Sequence, residues 1–181
     1  LFRSTVDFLY EKGHRTVAFL RNNESDYDRR SGYVILFRES LLAHAKELGM
    51  TVIESEHYEA DSFDAQHFVS TVFAHPDRPT AIINQANASV LSQVLMALHD
   101  AGMSIPQDVS VLSCGTYFEG EPTRFPITEM PVMPEELCAE AMNLLVSAIE
   151  EHTDIKGSVE LIEPALKRRG SVAEAGSGGT I

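Results

Sequence analysis

The strongest constraint on the fold lies between residues 79 and 116, where two short apolar runs flank one amphipathic segment. The first run, residues 81–83, ends at a polar cluster, which is typical of a buried strand that reaches a surface loop. The amphipathic segment begins after Asn87, a favourable helix N-cap, and ends at Gly102, with apolar residues at the i, i+3, i+4 spacing of a helix. The second run, residues 109–112, completes a predicted βαβ unit.

The two strands of this unit are predicted to be parallel, because crossover connections of this kind are right-handed and return to the same end of the sheet. Their carboxyl ends then lie at one edge, with residues 84–87 after the first strand and residues 113–116 after the second. Open α/β sheets bind their ligands at that edge. The sequence therefore predicts a ligand site formed by these two segments.

The rest of the chain repeats the alternation of apolar runs and amphipathic segments. Strands are predicted over residues 16–20, 51–53, 127–130, 159–162 and 165–167, and helices over residues 5–12, 29–48, 61–75 and 135–151. The buried face of the last helix is predicted to contain Leu137, Ala141, Leu144, Leu145, Ala148 and Ile149. Such alternation indicates an α/β fold, a three-layer, doubly wound parallel sheet. The glycine-rich tail, residues 173–181, is predicted to be disordered.

Composition and charge restrict the class of protein further. The 181 residues carry a net charge of −13, which repels phosphate backbones and argues against nucleic-acid binding by this segment. No apolar run approaches the roughly 20 residues of a membrane span, and the opening is too charged for a signal peptide, so we expect a cytoplasmic location. Cys114 and Cys138 form no C-x-x-C pair and the histidines lack metal-ligand spacing. We expect no membrane partner, no metal and no cofactor.

Several short motifs, taken in order, resemble the effector-binding half of LacI/GalR-type transcription regulators, whose fold is the type I periplasmic-binding-protein-like fold. They are GHRTVAF at 13–19, RRSGY at 29–33, PTAI at 79–82, GMSIPQDVSV at 102–111, PIT at 126–128 and LKRRGS at 166–171. Each motif alone is weak. Their shared order across nearly the whole chain makes the resemblance strong.

The resemblance implies that residues 1–172 are a partial effector-binding domain, truncated to its C-terminal lobe and a few elements of the N-terminal lobe. The C-terminal lobe is expected at about 14–126 and 158–170, and the elements of the N-terminal lobe at about 4–12 and 127–152. The family's helix-turn-helix domain is not in these residues, so operator DNA is expected to be bound only through that absent part.

The function implied by the resemblance is ligand sensing and dimerisation in a cytoplasmic regulator or repressor, without enzymatic activity. A small-molecule effector, sugar-like or another small metabolite, would bind in the cleft between the lobes, and the partner would be a second copy. The outward side of the helix after residue 87 and the following strand form the dimer interface in the family. Met96 and Met103 are candidates for it, although single exposed apolar residues are also common on protein surfaces.

The arginine of the family's R-x-x-G-[FY] motif contacts the effector, and that position is Arg29 in this chain. A guanidinium offers paired donors to hydroxyls, carboxylates or phosphates. The alternative is a solvated arginine at a helix start, like Arg30. Ser25 and Tyr27, on the preceding loop, occupy positions where the family often places further cleft contacts, but both are more often plain loop residues.

Two family signatures at strand ends are altered in this chain. The N-D pair falls at Ala86–Asn87 and the G-[FY]-D-D signature is replaced by residues 113–116, so both acidic positions are lost. We therefore expect an effector other than a typical hexose, either an anion or a more apolar metabolite, unless effector control has been lost. The expected ligand contacts at this edge are Asn84, Gln85, Asn87, Gly115 and Thr116.

Two other functions remain open from the sequence. Cys114 precedes a glycine at a strand end, as nucleophiles do in several α/β enzymes, but no G-x-S-x-G elbow accompanies it. A structural cysteine is the more common case. The second alternative is a periplasmic solute receptor, which shares the fold and is disfavoured by the motifs at 13–19 and 102–111.

Overall fold

A five-stranded parallel sheet organises the chain. This computed structural model describes residues 2–59, 61–114, 126–131, 134–152, 156–157, 159–160, 162 and 165–176. The strands are β1 (Thr16–Leu20), β2 (Thr51–Glu54), β3 (Ala81–Asn84), β4 (Ser110–Ser113) and β5 (Thr128–Glu129). Their spatial order is β2-β1-β3-β4-β5, and every neighbouring pair is parallel. The predicted α/β fold with a parallel sheet is confirmed.

Helices cover both faces of this sheet, which gives the three predicted layers. The helices are α1 (Phe2–Glu11), α2 (Glu24–Asp28), α3 (Gly32–Glu47), α4 (Ala65–Phe73), α5 (Ala88–Asp100) and α6 (Pro134–Glu151). Because side chains alternate along a strand, Ala18 and Ile82 pack in one core with α4 and α5, while Phe19 and Ile83 pack in a second core with α1 and α3.

The βαβ unit has the predicted arrangement. Asn87 is the N-cap of α5, and its side-chain oxygen accepts a hydrogen bond from the backbone N–H of Val90 at 3.0 Å. The chain leaves the helix at Gly102, whose φ of +74° lies in the left-handed region that favours glycine. β3 and β4 are joined in register, with Ile82 opposite Val111.

The single helix predicted over residues 29–48 is wrong at its start. Residues 24–28 form the separate short helix α2, capped by Asn23, whose side chain accepts from the N–H of Asp26. α3 begins only at Gly32. The two helices are separated because Arg30 adopts a left-handed conformation, with φ of 52°.

The start of α4 also differs from the prediction. The helix is capped by Asp64, whose carboxylate accepts from the N–H of His67 at 2.9 Å. Ser62, which falls at the start of the predicted helix, instead bonds the backbone of Glu59 in the preceding turn. A side chain that is occupied in a local turn no longer caps the helix.

Two segments that the resemblance assigned to the N-terminal lobe pack on this sheet in the structure. Val6 and Leu9 of α1 are fully buried in the same core as Phe19 and Phe37. β5 is paired with β4 and lies within the same sheet. α1 and β5 therefore share one sheet and core with β1 to β4.

The predicted burial of one face of α6 is wrong within the described residues. Leu137, Leu145 and Ile149 are 43%, 44% and 65% exposed, and Ala141 is exposed as well, whereas Leu144 and Ala148 are partly covered. The spacing of these side chains suits burial, but the described part of the chain provides no element that covers them.

The C-terminal residues contribute little regular structure. Lys167 forms one antiparallel bridge with Glu129, and residues 159, 160 and 162 show no strand. The strand predicted over 159–162 is therefore wrong at those residues. Of the tail predicted to be disordered, residues 173–176 are described, and the N–H of Ala175 donates to the carbonyl of Lys12 at 2.8 Å. Residues 177–181 lie outside the described part.

The helices of the described chain include none that combines the length and apolar character needed to cross a bilayer.

Candidate functional site

The carboxyl ends of the three central strands meet at one edge of the sheet. The N–H of Gln85 donates to the carbonyl of Leu20 at 2.9 Å, and the N–H of Cys114 donates to the carbonyl of Asn84 at 2.8 Å. These bonds continue the ladder by one residue beyond β1, β3 and β4. The edge is therefore a continuous backbone platform, as predicted for neighbouring parallel strands.

The start of α3 is attached to this platform by two side chains. The hydroxyl of Tyr33 donates to the carbonyl of Cys114 at 2.6 Å, and the side-chain amide of Gln85 donates to the carbonyl of Val34 at 3.4 Å. Burial raises the pKa of Tyr33, so its hydroxyl remains a donor. The N-terminal end of α3 consequently lies over the ends of β3 and β4.

Arg29 lies in the segment that joins α2 to α3. It is the C-cap residue of α2, and it precedes by four residues Tyr33, which bonds the platform. Its side chain is exposed and has no ion pair or hydrogen bond with the residues that the structure describes. An exposed guanidinium with no partner among the described residues can donate to an incoming ligand.

Asn84 and Gln85 bring buried acceptors to the same edge. They are 1% and 3% exposed. The amide nitrogen of Asn84 donates to the carbonyl of Ala86 at 3.1 Å and to the hydroxyl of Ser113 at 3.0 Å. The Oδ1 of Asn84 and the Oε1 of Gln85 have no partner among the described residues. Buried acceptors without partners are uncommon and mark this edge as incomplete.

Two of the other predicted contacts are engaged in helix caps, and two lie outside the described residues. Asn87 uses its side-chain oxygen to cap α5. Ser25 donates its hydroxyl to the side-chain oxygen of Asn23 at 2.6 Å, within the cap of α2. Gly115 and Thr116 lie outside the described residues.

A buried arginine at this edge escaped sequence analysis. Arg21 directly follows β1, and its side chain is only 6% exposed. Its guanidinium lies 4.2 Å from the ring centroid of Tyr27, 2.9 Å from Nε2 of His57 and 3.4 Å from a carboxylate oxygen of Glu24. Burial raises the pKa of Tyr27, against the opposite effect of the Arg21 charge. The available signal was a charged residue placed directly after a buried strand.

Cys114 is unsuited to nucleophilic catalysis. The residue is fully buried, and burial raises the pKa of its thiol to about 12. Its sulfur lies 3.4 Å from the hydroxyl of Thr5 on α1. Since the thiolate is the reactive form, this environment removes the basis of the proposed cysteine-dependent chemistry. The described residues also contain no cluster of three or more His, Cys, Asp or Glu suited to a metal ion.

Comparison with known proteins identifies the family. Residues 6–172 match the periplasmic binding protein-like domain. The ribose operon repressor of Escherichia coli is 27% identical over 174 residues, which are 92% of this chain and 49% of that protein. The HTH-type transcriptional regulator GanR of Bacillus subtilis is 23% identical over 154 residues, 82% of this chain and 46% of that protein. The chain thus spans about half the length of these relatives.

Solved structures of LacI-family regulators share the fold. One from Bifidobacterium animalis superposes with a TM-score of 0.73 at 23% identity, covering 95% of this chain and 60% of that one. A regulator from Arthrobacter in complex with lactose gives 0.69 at 17% identity, covering 95% and 63%. One from Enterococcus faecium with bound ribose gives 0.64 at 16% identity, covering 95% and 61%.

The chain therefore belongs to the periplasmic binding protein-like domain family, and its resemblance to the effector-binding domain of LacI/GalR-type regulators is confirmed.

Proposed function

We propose that this chain senses a small-molecule effector in a cytoplasmic LacI-type transcription regulator, binding it at the strand-end edge against a second lobe. The main support is the pair of buried, unpartnered acceptors of Asn84 and Gln85 at that edge. The exposed Arg29 precedes α3, whose Tyr33 bonds the end of β4. The named relatives are transcriptional regulators, which favours this role over a periplasmic solute receptor or an enzyme.

The chemistry of the edge favours an effector other than a typical hexose. Two neighbours contain lactose or ribose. In this chain Gly115 replaces an aspartate of the family signature, and the carboxylate of the family's N-D pair is also lost. Arg29 supplies donors, and Asn84 and Gln85 supply acceptors. A metabolite that carries an anionic or carbonyl acceptor together with a hydroxyl or amine donor fits this set.

The effector would bias the arrangement of the two lobes, and a dimer would transmit that bias to a DNA-binding head outside these residues. Met96 on α5 is 56% exposed, which supports a role in such a dimer. Met103 is a weaker candidate because it packs against the core of α4 and α5. Operator contact through this chain itself is disfavoured by its net charge of −13.

A thermal-shift screen of the full-length regulator against sugars, nucleosides and small acids tests the proposal. A ligand at about 100 times its Kd should stabilise the folded protein by about 2.7 kcal/mol and raise its Tm. Arg29→Ala should weaken binding of that ligand by about 10- to 100-fold, the effect of losing a hydrogen bond to a charged group.

The matched control is Arg30→Ala, which removes the neighbouring exposed arginine and should leave ligand affinity unchanged. Equal loss of affinity in the two variants would indicate a general electrostatic effect and contradict the specific role of Arg29. Absence of any ligand-induced shift across the screen would contradict effector sensing.

A further inference from the structure

We infer that Arg21 is a positioning residue for the ligand-contacting segment and that His57 holds it in place only while the imidazole is uncharged. The segment consists of α2 and the residues up to Gly32, and it carries Tyr27 and Arg29. The effect on ligand binding rests on the proposed function, whereas the contact between Arg21 and His57 does not.

This segment is held against the loop after β2 by three further hydrogen bonds. The N–H of Glu24 donates to the carbonyl of Tyr58 at 2.8 Å, and the hydroxyl of Tyr58 donates to the carbonyl of Arg21 at 2.8 Å. The N–H of Arg21 donates to the hydroxyl of Ser55 at 3.3 Å. Arg21 is therefore bonded by its backbone as well as by its side chain to the loop after β2.

The geometry around His57 selects one form of the imidazole. Its Nε2 lies 2.9 Å from the Nη1 of Arg21, and a guanidinium can only donate, so Nε2 must accept. Its Nδ1 lies 2.5 Å from the carboxylate of Glu24, which only accepts, so Nδ1 must carry hydrogen. The contacts therefore require the neutral Nδ1–H tautomer.

Protonation of His57 would break the contact with Arg21. The added proton occupies the Nε2 lone pair and places two donors, and two positive charges, against each other. The bond from Nδ1 to Glu24 would persist, so the imidazolium would turn away from Arg21 while remaining on Glu24. Arg21 would then keep only its longer contact with Glu24 and its stacking on Tyr27.

Among the described charged groups near His57, only Glu24 contacts Arg21. These groups are Glu24 and Asp26 on α2, Glu54 and Glu56 around the end of β2, Asp64 and His67 on the side of α4, and Arg38 on α3. Glu54 is held by two bonds from Arg38, at 2.6 and 2.8 Å. Glu56 lies 3.5 Å from His67. Protonation of His57 should therefore loosen the segment.

Hydrogen exchange of the full-length regulator tests this coupling. Protection of the Glu24 amide, corrected for intrinsic exchange and followed across pH, should fall about tenfold when His57 becomes protonated, the equilibrium factor for one lost hydrogen bond. His57→Gln keeps one donor and one acceptor without a titrating group, so it should remove this pH dependence while preserving protection at neutral pH.

His67→Gln is the matched control, because His67 is also exposed and also lies beside a carboxylate but contacts no arginine. It should behave as the unmodified protein. Long-range proton–nitrogen correlation spectra of the unmodified protein should show His57 as the Nδ1–H tautomer at neutral pH. A His57 in the Nε2–H form, or equal pH dependence in His57→Gln, would overturn the inference.

Ribose titrations separate this inference from the proposed function. If ribose or a ligand from the thermal screen binds, its affinity should fall in mild acid in the unmodified protein and not in His57→Gln. If no ligand binds, but His57 is the Nδ1–H tautomer and exchange of the Glu24 amide depends on pH as expected, the proposed function is wrong. The contact between Arg21 and His57 is then still supported. If a ligand binds but its affinity has the same pH dependence in the unmodified protein and in His57→Gln, Arg21 does not position the ligand-contacting segment.

Discussion

At the scale of single residues, burial decides which side chains are chemically available. Cys114 and Cys138 differ in this respect, since the first is fully buried and the second is exposed on α6. Burial raises the pKa of Cys114 to about 12, whereas a thiol alkylates as its thiolate. The same residue type therefore has opposite reactivity at these two positions.

We predict that a thiol reagent at neutral pH modifies Cys138 rapidly and leaves Cys114 unmodified in the folded protein. Both should react after unfolding in denaturant. Mass spectrometry of peptides after a short labelling pulse measures the two rates, and Cys138→Ser isolates the buried thiol. Rapid labelling of Cys114 in folded Cys138→Ser would show a reactive thiolate and would support Cys114 as a catalytic nucleophile.

The sequence predicts some of the residues at the candidate site but not the contacts between them. Asn84 and Gln85 lie at the end of β3 as predicted, because they follow a locally recognisable strand, whereas the ligand role of Arg29 stays a prediction. The contact of Arg21 with His57 was missed, since it depends on β2 lying beside β1, which no local pattern encodes. Tyr33 falls within the predicted helix over residues 29–48, and nothing in the sequence indicates that its hydroxyl reaches the end of β4.

At the scale of helices and strands, periodicity predicts an element better than it predicts what covers it. The stripe of α5 is buried between the sheet and α4, while a similar stripe on α6 is exposed in the described residues. The break between α2 and α3 was missed because it depends on one left-handed residue, Arg30, rather than on the apolar repeat. The periodicity of apolar residues therefore does not show which element covers a helix, nor where one residue with a left-handed backbone divides it.

Matched truncations on the two helices should show this difference. Leu95→Ala on α5 removes a buried side chain and should cost about 2–5 kcal/mol of unfolding free energy. Ile149→Ala on α6 removes an exposed one and should change it by no more than about 0.5 kcal/mol. Urea unfolding of the 181-residue chain measures both. A cost for Ile149→Ala comparable to that for Leu95→Ala would mean that α6 is covered in solution.

At the scale of the whole molecule, two buried histidines respond to pH in opposite directions. His44 lies 2.9 Å from the carboxylate of Glu47 and 2.7 Å from that of Asp7, and these bonds, Glu47 first, raise its pKa. His14 accepts from the hydroxyl of Thr80 at 2.8 Å and donates to the carbonyl of Ala173 at 3.2 Å, and burial lowers its pKa. One joins α1 to α3, and the other joins β1 to the C-terminal segment.

These shifts predict that His14 and His44 change stability on opposite sides of pH 6.5, the ordinary pKa of both groups. The contribution of His44 is complete below that pH and is lost as pH rises through its raised folded-state pKa. The contribution of His14 is complete above it and is lost as pH falls towards its lowered folded-state pKa. Urea unfolding across pH measures both limbs: His44→Gln should flatten the alkaline side and His14→Gln the acid side. His99 is exposed, so His99→Gln is the control and should change neither the acid nor the alkaline side of the stability curve. If His44→Gln flattened the acid side, or His14→Gln the alkaline side, the assigned protonation states would be wrong.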